Sequence, residues 1–311
     1  MARAEPISAA AWYTDRTSAW TDWDVDALVA AKGAHRISVV VPARNEAPTI
    51  GSIVGGIRRD FVERLPLLDE LVVIDSDSTD DTAAIAAEAG AVVHSARDIR
   101  PDLGGFRGKG EALWKSQFVT SGDLLVFIDA DLTGWGTHFV SGLLGPLLLD
   151  QGVRLVKGFY DRILDDGSRR LATEGGRVTE LVARPLLNLF WPDLARVVQP
   201  LAGEWAIRRD TFEQLWVPVG YGVEIGSLLD VYARDGLRAI AQVDLGQREH
   251  SHQSVHDLAV MAAEIIAVAD RRREQSDPTS ERLWQFHRVD GWTDREVPLH
   301  ERPPADTVTE L

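Results

Sequence analysis

Two carboxylates one residue apart, Asp129 and Asp131, follow an unbroken apolar run, Leu124-Leu125-Val126-Phe127-Ile128. Such a run, bounded by Gly122 and Asp123, reads as a strand buried on both faces, as in parallel sheets covered by helices. In open α/β sheets the ligand crevice lies beyond the carboxyl ends of the strands, so acids placed there face a substrate. At this spacing they can offer hard oxygen ligands to one divalent cation, whose shell substrate phosphates usually complete. The spacing alone is not specific. Asp22-Trp23-Asp24, Asp24-Val25-Asp26 and Asp75-Ser76-Asp77 repeat it, and the commonest role of such a pair is a solvated turn or helix cap. Only Asp75-Ser76-Asp77 also closes an apolar run, Leu71 to Ile74, so two candidate cation sites remain.

Other residues with chemical potential are scattered along the chain. Gly104-Gly105-Phe106-Arg107-Gly108-Lys109-Gly110 resembles part of a phosphate-binding loop, but Gly110 stands where a P-loop needs Ser or Thr, which argues against a P-loop NTPase. Lys109 is then either a solvated loop lysine or a contact for a substrate phosphate or sugar. Gly175-Gly176-Arg177-Val178-Thr179 opens a helix, and its amides, guanidinium and hydroxyl form either an anion site or a simple cap. In Gly220-Tyr221-Gly222-Val223-Glu224, Glu224 is a first-turn acid favoured by the helix dipole or a carboxylate gripping sugar hydroxyls. His250 and His252, past a strand end, are better metal candidates than lone histidines.

These residues need a scaffold, and the pattern supplies one. Ile37 to Val41, Leu71 to Ile74, Ala91 to His94 and the Asp129 run read as strands. The intervening helices start near Thr49, whose hydroxyl is expected to cap the first of them, near Asp80 and near Glu111. This is a β-α-β-α-β series of the doubly wound kind. Leu155 to Tyr160 and Ala239 to Val243 add strands in the second half, and a long helix runs from Ser254 to Arg273. We divide the chain into an N-terminal helical segment (1–36), a doubly wound half (37–150), a second half (151–275) and a C-terminal tail (276–311) expected to end irregularly.

Composition narrows the functions. At 311 residues with 45% apolar content the chain can bury a large core, and its net charge of −15 argues against nucleic acid or an anionic membrane surface as partner. Cysteine is absent, which removes disulfides and thiol chemistry. No segment approaches a membrane span or a signal peptide, so the expected location is the cytoplasm.

Taken together, Pro42-Ala43-Arg44-Asn45-Glu46, Asp75 to Thr82 and Asp129-Ala130-Asp131 resemble the nucleotide-sugar half of a GT-A glycosyltransferase. The segments Gly108 to Trp114, Gly175 to Arg184, Gln199 to Glu204, Gly220 to Gly226 and Arg248-Glu249-His250 bring the resemblance closer. They are similar to the glucosyl-3-phosphoglycerate synthase family, which also takes in mannosyl-3-phosphoglycerate synthase. The resemblance covers about residues 37 to 270.

That resemblance implies a GT-A fold, with a Rossmann-like nucleotide-binding half and an elaborated acceptor half, and a retaining, metal-dependent transferase acting on UDP-glucose and the 2-hydroxyl of 3-phosphoglycerate. It implies Mg2+ or Mn2+ on Asp131 and His250, choosing Asp129-Ala130-Asp131 over Asp75-Ser76-Asp77. It places donor contacts at Pro42, Ala43, Arg44, Asn45, Glu46, Ser76, Lys109, Asp129, Ala130, Tyr221, Gly222, Val223 and Glu224, with Asp131, Lys109 and Glu224 as catalytic. Acceptor contacts fall on Gly176, Arg177, Val178, Thr179 and His252. Members of the family are homodimers. Ala130 replaces a usual serine and His252 an asparagine, and the first departure keeps GDP-mannose open as donor. No carboxylate is evidently placed as a nucleophile, which favours attack on the face the diphosphate leaves over two-carboxylate hydrolysis. A polyprenyl-phosphate transferase would need a membrane-binding segment, and a non-catalytic nucleotide-sugar binder would not need the full set of acids, lysine and histidine.

Overall fold

The computed structural model describes residues 7–165, 170–173, 176–249, 254–274, 282–287 and 291–308. Its strands are β1 (Thr17–Ala19), β2 (Ile37–Ala43), β3 (Glu70–Asp75), β4 (Val92–Ser95), β5 (Leu124–Phe127), β6 (Leu155–Asp165), β7 (Arg170–Thr173), β8 (Trp205–Arg208), β9 (Val217–Pro218), β10 (Ile240–Glu249), β11 (Arg282–His287), β12 (Gly291–Glu296) and β13 (Glu301–Arg302). The helices are α1 (Ala9–Arg16), α2 (Val25–Lys32), α3 (Ala47–Arg58), α4 (Thr82–Glu88), α5 (Lys109–Ser116), α6 (His138–Leu149), α7 (Arg184–Phe190), α8 (Arg209–Phe212), α9 (Val223–Asp235) and α10 (Val255–Glu274).

Strand order in the main sheet is β1-β10-β6-β8-β5-β2-β3-β4, with β7 paired to β6. One parallel group, β5-β2-β3-β4, and another, β6-β10-β1, are joined by β8, which runs antiparallel to both β5 and β6. All seven residues of β2 are buried, as an inner strand covered on both faces requires. The two-residue period then sorts the side chains. Val39, Val41 and Val126 join α3 and α6 in one core, whereas Val40, Leu125 and Phe127 join α5, α9 and α10 in the other.

Helix α3 shows how the local sequence sets its element. Ile50, Ile53, Val54 and Ile57 recur at three- and four-residue spacing and are fully buried, each worth roughly 1.5–3 kcal/mol. Pro48 fits its first turn, where no helical N–H is needed. Thr49 does not cap it: the helix begins at Ala47, and the hydroxyl donates to the Ala130 carbonyl at 2.6 Å instead, tying α3 to the Asp129-Asp131 turn.

Short strands occur towards both ends of the chain. The N-terminal segment is not purely helical, because β1 joins the sheet edge beside β10, and the Trp12 indole donates to the Ile240 carbonyl at 2.8 Å. In the tail, β11 and β12 form a hairpin and β13 pairs with β9. Among the described residues no helix is long and apolar enough to cross a membrane.

Candidate active site

The carboxyl ends of β2, β3 and β5 open on a cavity of about 690 Å³. Two turns form one wall. Asn45, in the left-handed region at φ 57°, donates its N–H to Ser78 Oγ at 2.9 Å and accepts from the Thr79 N–H at 2.8 Å. The Glu46 N–H donates to Thr82 Oγ1 at 2.8 Å. This stitching puts Pro42, Ala43, Arg44, Glu46 and Ser76 on the cavity wall, while Asn45 is spent on the turn and does not line it.

Beyond β5 the acids meet their partners. Asp129 makes a short contact with Lys109 Nζ, and Lys109 also reaches Glu224 Oε1 at 2.7 Å. Arg248, buried on β10, spreads its fork: Nη2 donates to Asp131 Oδ1 at 2.9 Å, and Nη1 donates to Glu204 Oε1 at 2.9 Å and Tyr160 Oη at 2.8 Å. Glu204 is wholly sealed from solvent, whereas the Asp131 side chain is 52% exposed towards the cavity. Gly203 makes the arrangement possible, since a Cβ there would lie 2.1 Å from Asp129 Oδ2.

The electrostatics follow from crowding of like charges in a partly dry cleft. Burial, then Asp131 and Asp129, push the Glu46 carboxyl up to about 7. Burial and the neighbouring Asp129 also raise Asp131, against the pull of Arg248 and Lys109. Burial alone would depress the Lys109 ammonium, but Asp129 and Glu224 outweigh it and hold the group above the usual lysine range. Lys157, fully buried under the site with Nζ donating to the Ala202 carbonyl at 2.7 Å, is pushed down to about 8 by burial.

A divalent cation fits this set of groups. Asp129 raises the proton affinity of both Glu46 and Asp131, and Asp131 that of Glu46, the repulsion a hard cation relieves, and Asp131 is open to the cavity. Among the described residues no three His, Cys, Asp or Glu side chains already enclose a metal position. His250, His252 and Gly175 lie outside the described residues. The other acidic pairs have local uses. Asp22 accepts from the Ala19 N–H and Asp24 from the Ala27 N–H, while Asp75 accepts from the Ser78 N–H and Asp77 pairs with Arg97.

Gly176, Arg177, Val178 and Thr179 line the same cavity, as do Ala130, Tyr221 and Glu224. Gly222 and Val223 do not. Val223 is fully buried in the core, and a Cβ on Gly222 would meet Val268 at 2.6 Å, so only their main-chain groups at the start of α9 are available. The glycines around Lys109 have a steric cause rather than a P-loop one: Cβ atoms on Gly108 and Gly110 would lie 2.2 Å from the Val219 carbonyl oxygen and 1.8 Å from that of Pro218. The start of α5 packs directly on β9, with the Glu111 N–H donating to Val219 O at 2.9 Å.

Nothing in the local sequence singles out Arg248, Glu204, Tyr160 or Lys157 for a role in the site. A hint lay in Arg248-Glu249-His250, where a basic residue precedes the proposed metal ligand, but its partners are brought together only by the order β8-β6-β10.

The chain is similar to known glycosyltransferases. The family described as Glycosyl transferase family 2 matches residues 38–144. The glucosyl-3-phosphoglycerate synthase of Mycolicibacterium smegmatis is 45% identical over 303 residues, 96% of this chain and 98% of that protein. The protein of the same name from Petrotoga mobilis is 47% identical over 240 residues, 77% of this chain and 74% of that one. A crystal structure of the Mycobacterium tuberculosis enzyme with Mn2+, UDP-glucose and phosphoglyceric acid superposes with a TM-score of 0.82 at 44% identity, covering 92% of this chain and 95% of that one. The same enzyme with phosphoglyceric acid alone gives 0.83 at 43% identity, over 94% and 98%. With its GT-A fold and its cluster of acids, lysine and arginine at the strand ends, the chain belongs to the glucosyl-3-phosphoglycerate synthase family of glycosyltransferases.

Proposed function

We propose that the protein transfers glucose from UDP-glucose to the 2-hydroxyl of 3-phosphoglycerate with retention at the anomeric carbon. The observation that carries this reading is a single cavity lined both by the Lys109-Asp129-Glu224 cluster and by the Gly176 to Thr179 turn. Donor and acceptor can therefore meet in one chamber. Uridine and ribose lie against Pro42, Ala43, Arg44, Glu46 and Ser76, with Asn45 holding the turn. Diphosphate and sugar lie near Lys109, Asp129 and Ala130, with Tyr221 and Glu224 on the sugar and Gly222 and Val223 contributing main-chain groups. The phosphoglycerate is held by Gly176, Arg177, Val178 and Thr179, with His252 beside it. The relatives carry the glucosyl name, so GDP-mannose is the disfavoured donor.

Bound by Asp131 and His250, Mg2+ or Mn2+ supplies Lewis-acid neutralisation of the departing diphosphate. The chain's own groups do the rest. Lys109 stays cationic at neutral pH, which makes it an electrostatic partner of the leaving group and not a base. Glu224 is 4% exposed, and its carboxylate accepts from sugar hydroxyls more strongly than a neutral group would. Glu204, sealed behind Arg248, is no nucleophile. The acceptor hydroxyl attacks on the face the diphosphate leaves and passes its proton to the leaving phosphate oxygen. We further place the protein in the cytoplasm as a homodimer, as the acidic, cysteine-free composition and the family resemblance imply.

A matrix of UDP-glucose, GDP-glucose and GDP-mannose against 3-phosphoglycerate, with and without chelator, tests the reading. Turnover should be fastest with UDP-glucose, and chelator should abolish it. Turnover with GDP-mannose alone would overturn the donor assignment.

A further inference from the structure

We infer that the C-terminal stretch Leu299 to Val308 is a strap that positions the donor-binding loop, and that Arg302 is the positioning residue through which it acts. The inference rests on the donor assignment proposed above. Arg302 is 5% exposed, and its guanidinium grips Glu111 in the first turn of α5 with both arms: Nε donates to Oε2 at 2.7 Å and Nη2 to Oε1 at 2.6 Å. The remaining N–H groups hold the loop ahead of that helix, Nη1 donating to the Leu103 carbonyl at 2.8 Å and Nη2 to that of Gly104 at 3.1 Å. The same guanidinium lies between the rings of Phe106 and Trp114, 4.7 Å and 4.6 Å from their centroids. Phe106 in turn stacks on His300 at 4.8 Å.

What is held this way is a wall of the cavity. Gly105, Phe106, Arg107 and Gly108 line it just before Lys109, and Gly104 to Arg107 are exposed residues without helix or strand structure. Gly104 and Gly108 take φ values of 66° and 141°, which glycine adopts readily, so the loop's path is set at these two residues and by what packs against it. A planar five-donor fork can fix two carbonyls, one carboxylate and two rings in a single geometry.

The strap is itself anchored at several points. Arg302 pairs with Val217 and Glu301 with Pro218 across β13 and β9, the Val219 N–H donates to the His300 carbonyl at 3.1 Å, and Arg271 and Arg272 bind Glu301. Further along, the Trp114 indole donates to the Pro303 carbonyl at 2.8 Å and Arg100 Nη1 to that of Val308 at 2.9 Å. Since Pro218 of β9 and Val219 just beyond it carry the carbonyls on which Gly110 and Gly108 rest, and the chain leads from there into Tyr221 and Glu224, the strap reaches both flanks of the Lys109 site.

Losing the guanidinium does not strand Glu111. Lys115 Nζ lies 3.6 Å from Glu111 Oε1 and is itself held by the Ala96 carbonyl at 2.8 Å, so a counter-charge remains in the buried cluster. The fold is therefore expected to survive Arg302→Ala while the loop loses its register.

The test is steady-state kinetics with each substrate varied in turn, alongside calorimetry with UDP, on the full chain as wild type, Arg302→Ala and Arg302→Lys. Arg302→Ala should raise the KM for UDP-glucose and the Kd for UDP at least ~10-fold, with the KM for 3-phosphoglycerate changed less than ~2-fold. Arg302→Lys should recover part of the donor affinity, because an ammonium keeps the charge but not the fork. If Arg302→Ala does not fold, the same split read on Arg302→Lys decides. An unchanged donor KM, or equal rises in both KM values, would overturn the strap as a donor-positioning device. A wild-type chain that bound no UDP and used no UDP-glucose would instead refute the proposed function, and the inference would fall with it.

Discussion

Replacing Glu264 with glutamine should remove a pH dependence from the stability of the fold. Glu264 sits on α10, 2% exposed, with its Oε2 accepting the Tyr221 N–H at 2.5 Å. Burial, helped by the charge of Glu224 and opposed by that amide, lifts its carboxyl from 4.5 to about 7. Between those two values the folded protein holds a proton that the unfolded chain has released. The stabilisation is thus complete below pH 4.5 and is lost as pH rises through about 7. At about 1.4 kcal/mol per pH unit, the interval from 4.5 to about 7 corresponds to about 3.5 kcal/mol. Glutamine keeps a carbonyl acceptor for Tyr221 and does not titrate. Urea unfolding of both proteins at a series of pH values should give a stability difference that moves by about 3.5 kcal/mol in favour of Glu264→Gln from below pH 4.5 to above about 7. Glu46, which also titrates near 7, is common to both proteins and cancels. Parallel stability curves would refute the reasoning, because a group that stays charged when folded could not produce the change.

Other expectations concern the reaction itself. Asp131→Ala should abolish turnover with little change in thermal midpoint, and titrating Mn2+ into the variant should show weakened metal binding by calorimetry; full activity in excess chelator would remove the metal from the mechanism. Arg177→Ala should raise the KM for 3-phosphoglycerate at least ~10-fold, the ~1.4 kcal/mol expected of a charge-assisted hydrogen bond, and leave UDP affinity nearly unchanged. Gly203→Ala should lower kcat on the order of 100-fold, since its Cβ would lie 2.1 Å from Asp129 Oδ2 and drive that carboxylate off Lys109; activity within twofold of wild type would show that Asp129 tolerates the shift.

The part of the fold legible in the sequence is the part buried on both faces. β2, β3 and β5 are continuous apolar runs because helices cover each side, and their carboxyl-end residues are where the site begins. The placement of β8 was not legible. Trp205-Ala206-Ile207 is too short a run to stand out, and only tertiary contacts set it antiparallel between β5 and β6. The Arg248 clamp depends on that placement, since Glu204 lies 44 positions away in the chain. Glu111, Lys115, Lys157 and Arg302 were opaque for another reason: charged residues are ordinarily expected at the surface, and these four are buried because each finds a partner elsewhere in the fold. The glycines beside Lys109 looked like phosphate chemistry, whereas their shape requirement comes from β9.

The pairing of β1 with β10 also bears on the order in which the molecule can assemble. Thr17, Ser18 and Ala19 lie beside Gln242, Val243 and Asp244, and Trp12 bonds to a carbonyl 228 positions further on. During synthesis the first strand leaves the ribosome long before its neighbour exists, so it must wait while the β2 to β5 group, whose partners lie closer along the chain, can already condense. Until it docks, β10 presents an open edge of unpaired amides and carbonyls, the kind of template that captures a strand from another molecule. The seating of this short strand is thus expected late in folding, and a chain lacking it is expected to be most exposed to self-association at that edge.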